Sequence, residues 1–389
     1  MVKAVFVLFQ KPFFKGFLFT HNKSGYCVCH IEVPLMKSFN LGVLLFIYAT
    51  GLWANDLLGL PVLSIPSNNP QTVEKIALGE QLFNDKRLSQ DGSISCASCH
   101  HKDKAFTDGQ RVALGIKQQA GFRNAPTVVN SAFYQRLFVD GRAASLEEQA
   151  LGPFLSPVEH GLKNTQDIVN IVNTDSSYKI QFAQVFNINE DKITAELIAQ
   201  AIASFERTLI AGNSAFDRYL FGRDRSALTQ SEARGMRLFR RKGNCSNCHE
   251  IGGVNALLMD NRFYNLGVGF ERINSEIAEF VAAVRAGDSP DDFDFTEAQR
   301  AELGRFNITR VIADIGKFKT PTLRNIALTA PYLHDGSLQT LEEVVEYYDQ
   351  GGEKNPFLDS AIFPLHLTDQ EKQDLVAFLK ALTSRPYVQ

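Results

Sequence analysis

The sequence predicts a mostly α-helical protein built from two similar halves. Three observations predict it. The pattern C-x-x-C-H occurs twice, at Cys96-Ala97-Ser98-Cys99-His100 and at Cys245-Ser246-Asn247-Cys248-His249. Each is preceded by A-x-G-x-x-L-F, at Ala77–Phe83 and at Ala233–Phe239, with the apolar residues at helical spacing. Each half then closes on an amphipathic pattern, Ile198 to Leu209 in the first and Leu375 to Leu382 in the second. Thr229 with Glu232, and Thr368 with Glu371, read as capping boxes that start the opening and closing helices of the second half.

Composition sets the frame. The chain has 389 residues, 44% hydrophobic and 21% charged, which is ordinary for a globular protein and argues against disorder. Its length suits two domains. A net charge of -3 gives a nucleic-acid partner no support. Fourteen Pro and 27 Gly exclude a collagen-like or low-complexity chain.

Residues 39–54 form an apolar run that follows Met36-Lys37 and ends in small residues, the pattern of a secretory signal. The run is short for a bilayer span of about 20 residues. Cleavage is expected after Ala54 or near Ala49-Thr50-Gly51, with an uncleaved anchor as the alternative. Residues 1–35 then read as an upstream extension, and Cys27-Val28-Cys29-His30 within it has too short a spacer to match the other two motifs. Residues 1–54 hold five Lys and one Glu, so the remainder carries 35 basic and 42 acidic residues, net -7. That mild acidity steers a basic partner weakly.

In an exported chain, C-x-x-C-H reads as covalent c-type haem attachment. Two thiols one helical turn apart each form a thioether to one porphyrin edge, and the adjacent histidine reaches the iron. A four-cysteine zinc site is the competing reading, but it must join distant pairs and leaves both histidines unexplained. An opening helix, a haem site and a closing helix make a c-type cytochrome domain. The expected organisation is therefore a leader over 1–54, an N-terminal cytochrome domain over 55–220 and a C-terminal one over 221–389, a pseudo-repeat with one covalent haem in each.

The sequence here resembles the bacterial di-haem cytochrome c peroxidases and their MauG relatives. The likeness runs from about residue 68 to the C-terminus. It rests on Phe122–Thr127 (FRNAPT), Asp140–Gln149 (DGRAASLEEQ), Gly152–Glu159 (GPFLSPVE), Thr320–Asn325 (TPTLRN) and Pro331–Gly336 (PYLHDG). The resemblance implies a peroxidatic haem on His100, attached at Cys96 and Cys99. It implies an electron-transfer haem on His249, attached at Cys245 and Cys248. Gln149 and Glu159 match the family's distal-pocket pair: the amide holds peroxide, and the carboxyl moves a proton between its oxygens as general acid and base. Pro153 matches a proline lining that pocket, and Arg324 is counted with the cofactor-binding residues. Asn124, Thr329 and Pro331 match an inter-domain calcium site whose side-chain and backbone oxygens suit a hard cation.

Three departures from the family pattern bear on mechanism. Where the standard peroxidases carry a histidine that can close the peroxidatic haem, this chain has Ile116, which cannot bind iron; an open haem needing no reductive activation is implied. Where they carry a methionine after the P-Y-x-H motif, counting from His334 gives Tyr348, with Tyr347 adjacent. MauG-like proteins have tyrosine there, and an oxygen ligand lowers the potential. Where the family has an inter-haem tryptophan just before D-G-R, this chain has Val139.

The expected function is a periplasmic di-haem peroxidase. It would reduce hydrogen peroxide to water with electrons from a small c-type cytochrome or cupredoxin. The alternatives are a MauG-like oxidase that modifies a partner protein, favoured by Tyr348 and Ile116 and opposed by Val139, and a non-catalytic electron carrier, opposed by Ile116. The assembly is left open, with a homodimer as one option. Residues 274–312 carry no readable motif, although Asp288–Glu297 reads as a solvated loop and cap.

Overall fold

The computed structural model describes residues 57–385. The leader expected over 1–54 lies outside them. The chain opens with α1 (Val73–Asn84), runs through haem-motif loops to α2 (Leu146–Leu155), and continues through α3 (Thr165–Asn173), α4 (Ser176–Phe186) and α5 (Ala195–Glu206). The short α6 (Ala215–Leu220) leads into α7 (Gln230–Arg240). Then come β1 (Phe263–Tyr264), α8 (Ile277–Ala286), α9 (Glu297–Glu302), α10 (Phe306–Thr309), β2 (Phe318–Lys319), α11 (Leu341–Asp349) and α12 (Asp369–Lys380). The fold is mostly helical, as expected. β1 and β2 pair antiparallel, Phe263 opposite Lys319 and Tyr264 opposite Phe318. Among the described residues no helix is long and apolar enough to cross a membrane.

The helices start where side chains satisfy their free N–H groups. Thr229 Oγ1 accepts from Glu232 N at 3.3 Å while Glu232 accepts from Thr229 N at 2.7 Å. Thr368 and Glu371 do the same at 3.3 and 2.8 Å. Both expected capping boxes are present. The first closing helix differs from expectation: it runs Ala195–Glu206, not to Leu209. Thr194 caps its start, accepting from Leu197 N at 3.4 Å. The chain leaves the helix early because the carbonyls of Leu209 and Ala211 accept from Asn130 N and Nδ2 at 2.8 and 2.9 Å.

Two helix crossings organise the two main cores. Leu78, Leu82 and Phe83 of α1 pack on Ile198, Ile202 and Phe205 of α5. Met236 and Phe239 of α7 pack on Leu375, Phe378 and Leu379 of α12. Fully burying each such side chain is worth about 1.5–3 kcal/mol. The helices touch backbone to backbone at a glycine: a Cβ on Gly79 would overlap the Ala201 carbonyl oxygen, and one on Gly235 would overlap that of Asp374. Both cores lie within one packed unit.

The stretch with no readable motif builds a third core, of Phe280, Phe295, Phe306 and Ile315 among others. Asp288, Asp291, Asp292 and Asp294 are exposed, and Thr296 forms a capping box with Gln299 at the start of α9, in line with the solvated loop and cap.

Candidate functional site

Both C-x-x-C-H segments fold into the same tight turn. Cys96–Ser98 and Cys245–Asn247 are single 3-10 turns, and each histidine N–H closes on its first cysteine: His100 N to Cys96 O at 3.0 Å, His249 N to Cys245 O at 2.9 Å. The imidazoles are then pinned from outside. His100 Nδ1 lies 3.0 Å from Phe106 O, and His249 Nδ1 lies 2.9 Å from Leu258 O. A threonine braces each accepting loop: Thr127 Oγ1 donates to Ala105 O and Thr322 Oγ1 to Leu257 O, both at 2.6 Å. Phe83 and Phe239 stand beside the rings, with centroids 6.3 and 6.4 Å away.

Among the described residues the four motif cysteines form no disulfide. Burial pushes their pKa values up, to about 12 for Cys99 and Cys245. Burial also pulls both histidines below their ordinary value. A covalent haem needs paired thiols, an imidazole with Nδ1 held by a carbonyl so that Nε2 faces the iron, and apolar walls. Both sites meet these needs. Among the described residues no three His, Cys, Asp or Glu side chains converge as a metal cluster, so the zinc reading gains nothing.

The candidate distal residues are carried by α2 and the turn after it. Gln149 and Pro153 share one helix face at i, i+4 spacing. Glu159 N donates to Ser156 Oγ at 3.3 Å, and Glu159 O accepts from Ile116 N at 3.0 Å. Ile116 is thereby buried against the carboxylate-bearing segment. Gly115 is required there, because a Cβ would overlap the Val158 carbonyl. Burial raises the Glu159 pKa, although Ser156 and Arg142 oppose the rise. The Glu159 charge acts in turn on both Cys96 and Cys99. The fold thus brings Glu159, Ile116 and the first motif together.

At the second motif the two candidate tyrosines separate. Tyr347 donates its hydroxyl to Leu266 O at 2.8 Å. Burial raises the Tyr348 pKa, and the charges that add to it are those of Cys245 and Cys248. Tyr348, unlike Tyr347, has its hydroxyl free of a backbone acceptor among the described residues and within the field of the motif's thiols.

Arg324 is anchored by the protein itself. Its guanidinium pairs with Asp217 at 2.8 and 2.9 Å and donates to Gly59 O at 2.7 Å and to Ala256 O at 2.8 and 2.6 Å. Every nitrogen is engaged by protein, so Arg324 ties α6 to the loop behind His249. Asn124 meets the Pro331–Gly336 segment, its N–H donating to His334 O at 3.0 Å and its Nδ2 to Gln110 O at 2.7 Å. Thr329 Oγ1 donates to Ile326 O at 3.2 Å.

Sequence reasoning missed three polar features. Glu302 is buried beside His334 Nε2 at 2.9 Å and Arg272 at 2.8 Å. Burial alone would raise its pKa, but His334, Arg123 and Arg272 hold it below the ordinary value. Glu206 is buried with Oε2 unpartnered, and burial pushes its pKa up to about 8. Lys319 reaches across to the Tyr134 ring. Each partner set is distant in sequence, and only the K-T-P-T-L-R-N run brackets any of these residues.

Comparison with known proteins places these features in a wider set. Residues 73–225 match the family described as di-haem cytochrome c peroxidase. The chain is 37% identical over 331 residues to cytochrome-c peroxidase IdrP1 of Pseudomonas sp. (strain SCT), covering 83% of this chain and 84% of that protein. It is 35% identical over 321 residues to methylamine utilization protein MauG of Methylorubrum extorquens, covering 82% and 81%. A solved MauG-like protein associated with microbial copper homeostasis superposes with a TM-score of 0.70 at 34% identity, covering 85% of this chain and 95% of that one. The diheme peroxidase BthA from Burkholderia thailandensis shares the fold, with a TM-score of 0.65 at 23% identity over 82% and 88%.

Proposed function

The chain belongs to the di-haem cytochrome c peroxidase and MauG family of haem-dependent oxidoreductases, and from that premise we propose that it is a periplasmic peroxidase with two cytochrome domains, residues 55–220 and 221–389. It reduces hydrogen peroxide to two waters, taking two electrons from a small redox protein and two protons from solvent. Cys96, Cys99 and His100 hold one haem; Cys245, Cys248, His249 and Tyr348 hold the other. Bound there, the haems supply an iron that takes peroxide and a second redox centre that stores an electron.

The observation that carries this reading is Glu159, a desolvated carboxyl of raised pKa beside the Cys96–His100 motif. A carboxyl of that kind can take the proton from one peroxide oxygen and return it to the other. Gln149 and Pro153 stand on one face of the neighbouring helix, where the amide can orient peroxide and the ring excludes water. Ile116, buried against the Glu159 segment, offers no ligand that would close the site. Asn124, Thr329 and Pro331 are proposed as calcium ligands between the domains.

Low-temperature EPR of the oxidised, haem-loaded protein tests the ligand set. One high-spin and one low-spin signal without methionine character is expected, and both are lost on adding peroxide. Two low-spin signals that ignore peroxide would favour an electron carrier. Tyr348 supports a second reading, a MauG-like oxidase acting on a partner protein. Steady turnover of peroxide with a reduced small cytochrome, and no partner present, separates the first reading from it.

A further inference from the structure

The seam between the two sites lacks an indole but carries a charge. At Val139 the side chain is aliphatic, yet the Val139 carbonyl accepts from Lys319 N at 2.7 Å. Lys319 extends its ammonium over the Tyr134 ring, 3.1 Å from the centroid. Tyr134 in turn accepts a hydrogen bond from Thr322 N at 2.7 Å through its hydroxyl. Thr322 braces the loop whose Leu258 carbonyl pins His249. On the other side, Tyr134 follows Thr127, which braces the loop whose Phe106 carbonyl pins His100. The Tyr134–Lys319 pair therefore touches the segment that braces the His249 loop and follows, seven residues on, the threonine that braces the His100 loop.

Among the described residues no carboxylate acts on the Lys319 amine. Lys319 is half-buried, and burial pulls its pKa down to about 7, so the amine carries its full charge below that pH, where the test below is run. The neighbouring cation Arg305 is likewise held by an aromatic ring, Phe263, and by the carbonyls of Asp140 and Gly141. Asp140 directs its carboxylate to Arg142 at 2.8 Å. A cation on the face of a phenol makes that ring harder to oxidise, so Tyr134 is a poor hole relay. A cation in a low-dielectric seam instead favours an added electron nearby.

We propose that Lys319 is a positioning residue for electron passage, an ammonium held on Tyr134 between the two haem sites that makes arrival of an electron at the adjacent iron more favourable. In the step it serves, one iron is oxidised by one electron and the other reduced by one, and no bond forms or breaks. The inference rests on the two-haem reading above.

The test is a spectroelectrochemical titration of the full, haem-loaded protein as wild type, Lys319→Met and Lys319→Arg. With Lys319→Met, the equilibrium constant for reduction of one haem is expected to fall about tenfold, which is about 59 mV for one electron. Lys319→Arg keeps the charge and is expected to stay near wild type. Unmoved potentials in Lys319→Met, or equal shifts in both variants, would overturn the inference, because packing alone would then explain the residue. Lys319→Gln supplies the same readout should the methionine variant not mature. Wild-type protein with fewer than two covalent haems would overturn the two-haem reading as well, and haem content is measured first.

Discussion

The loop and helix around Asp140 and those around Asp335 are built alike. Asp140 Oδ1 accepts from Arg142 N, and Asp335 Oδ1 from Ser337 N, each at 3.1 Å. Gly141 and Gly336 sit at positive φ, 73° and 63°. Ser145 and Thr340 then cap α2 and α11, accepting from Glu148 N and Glu343 N at 3.2 and 3.1 Å. Counted in register, the eighth residue of α2 is Pro153 and the eighth of α11 is Tyr348. The same backbone thus carries a pyrrolidine in one half at the register position where the other half carries a phenol. On the proposed ligand set, one side chain on an otherwise shared scaffold decides whether a site is closed by its own chain.

The sharpest way to break that comparison is at the carboxyl, which belongs to the first site alone. Glu159→Gln is expected to lower kcat/KM for peroxide by about 10²–10⁴ and leave the EPR of both haems in place. Unchanged turnover would remove Glu159 from the proton path. Next comes the register position itself. Pro153→Tyr is expected to convert the high-spin signal to low-spin and to abolish peroxide binding. Tyr348→Met is expected to raise the midpoint potential of the second haem, since a thioether ligand favours reduced iron. A high-spin signal that survives Pro153→Tyr would show that equal register does not mean equal reach.

The closing helices differ in the same pointed way. Phe205 of α5 packs on Phe83 and Phe378 of α12 on Phe239, both with centroids 5.2 Å apart. The next residue is Glu206 in one and Leu379 in the other. Glu206 is buried beside Arg207 and within the field of Glu147, and burial raises its pKa to about 8. The folded state therefore keeps a proton that the unfolded chain releases near its ordinary value of 4.5. Stability is unpenalised below that value, falls as pH rises, and reaches its floor above about pH 8. The difference is on the order of a few kcal/mol. Urea denaturation of Glu206→Gln at pH 5 and pH 8.5 should show that this slope is gone; a slope equal to wild type would mean the carboxyl ionises in the fold.

How much of this could be read from the sequence depends on the range of the interaction. The C-x-x-C-H turns, the capping boxes and the Ala77–Phe83 and Ala233–Phe239 repeats are local, so residue type and spacing reveal them. Helix α5 was displaced from the expected Ile198–Leu209 because its end is set by Asn130, far away in the chain. The Phe280–Phe306 core has no period to betray it, since its aromatics come from loops as well as helices. Arg324 sits in a recognisable motif, yet its partner Asp217 lies in a junction that carries no signal. Tyr134 and Lys319 likewise meet only through the fold.

The smallest effect is the one that best measures how alike the two crossings are. Gly79 and Gly235 let α1 meet α5, and α7 meet α12, at a carbonyl oxygen. Alanine is the better helix former by about 1 kcal/mol, so at an open position either substitution would stabilise. Here the added methyl meets backbone rather than a flexible side chain, and the helices must part. Overpacking of this kind costs about 1–3 kcal/mol, which outweighs the propensity gain. Gly79→Ala and Gly235→Ala are each expected to lower the midpoint of urea denaturation, and by similar amounts, because Ala201 and Asp374 present the same atom to the same place. A loss confined to Gly79→Ala would mean that α12, whose Asp374 is tied to Arg234 at 2.6 Å, can shift as a unit where α5 cannot.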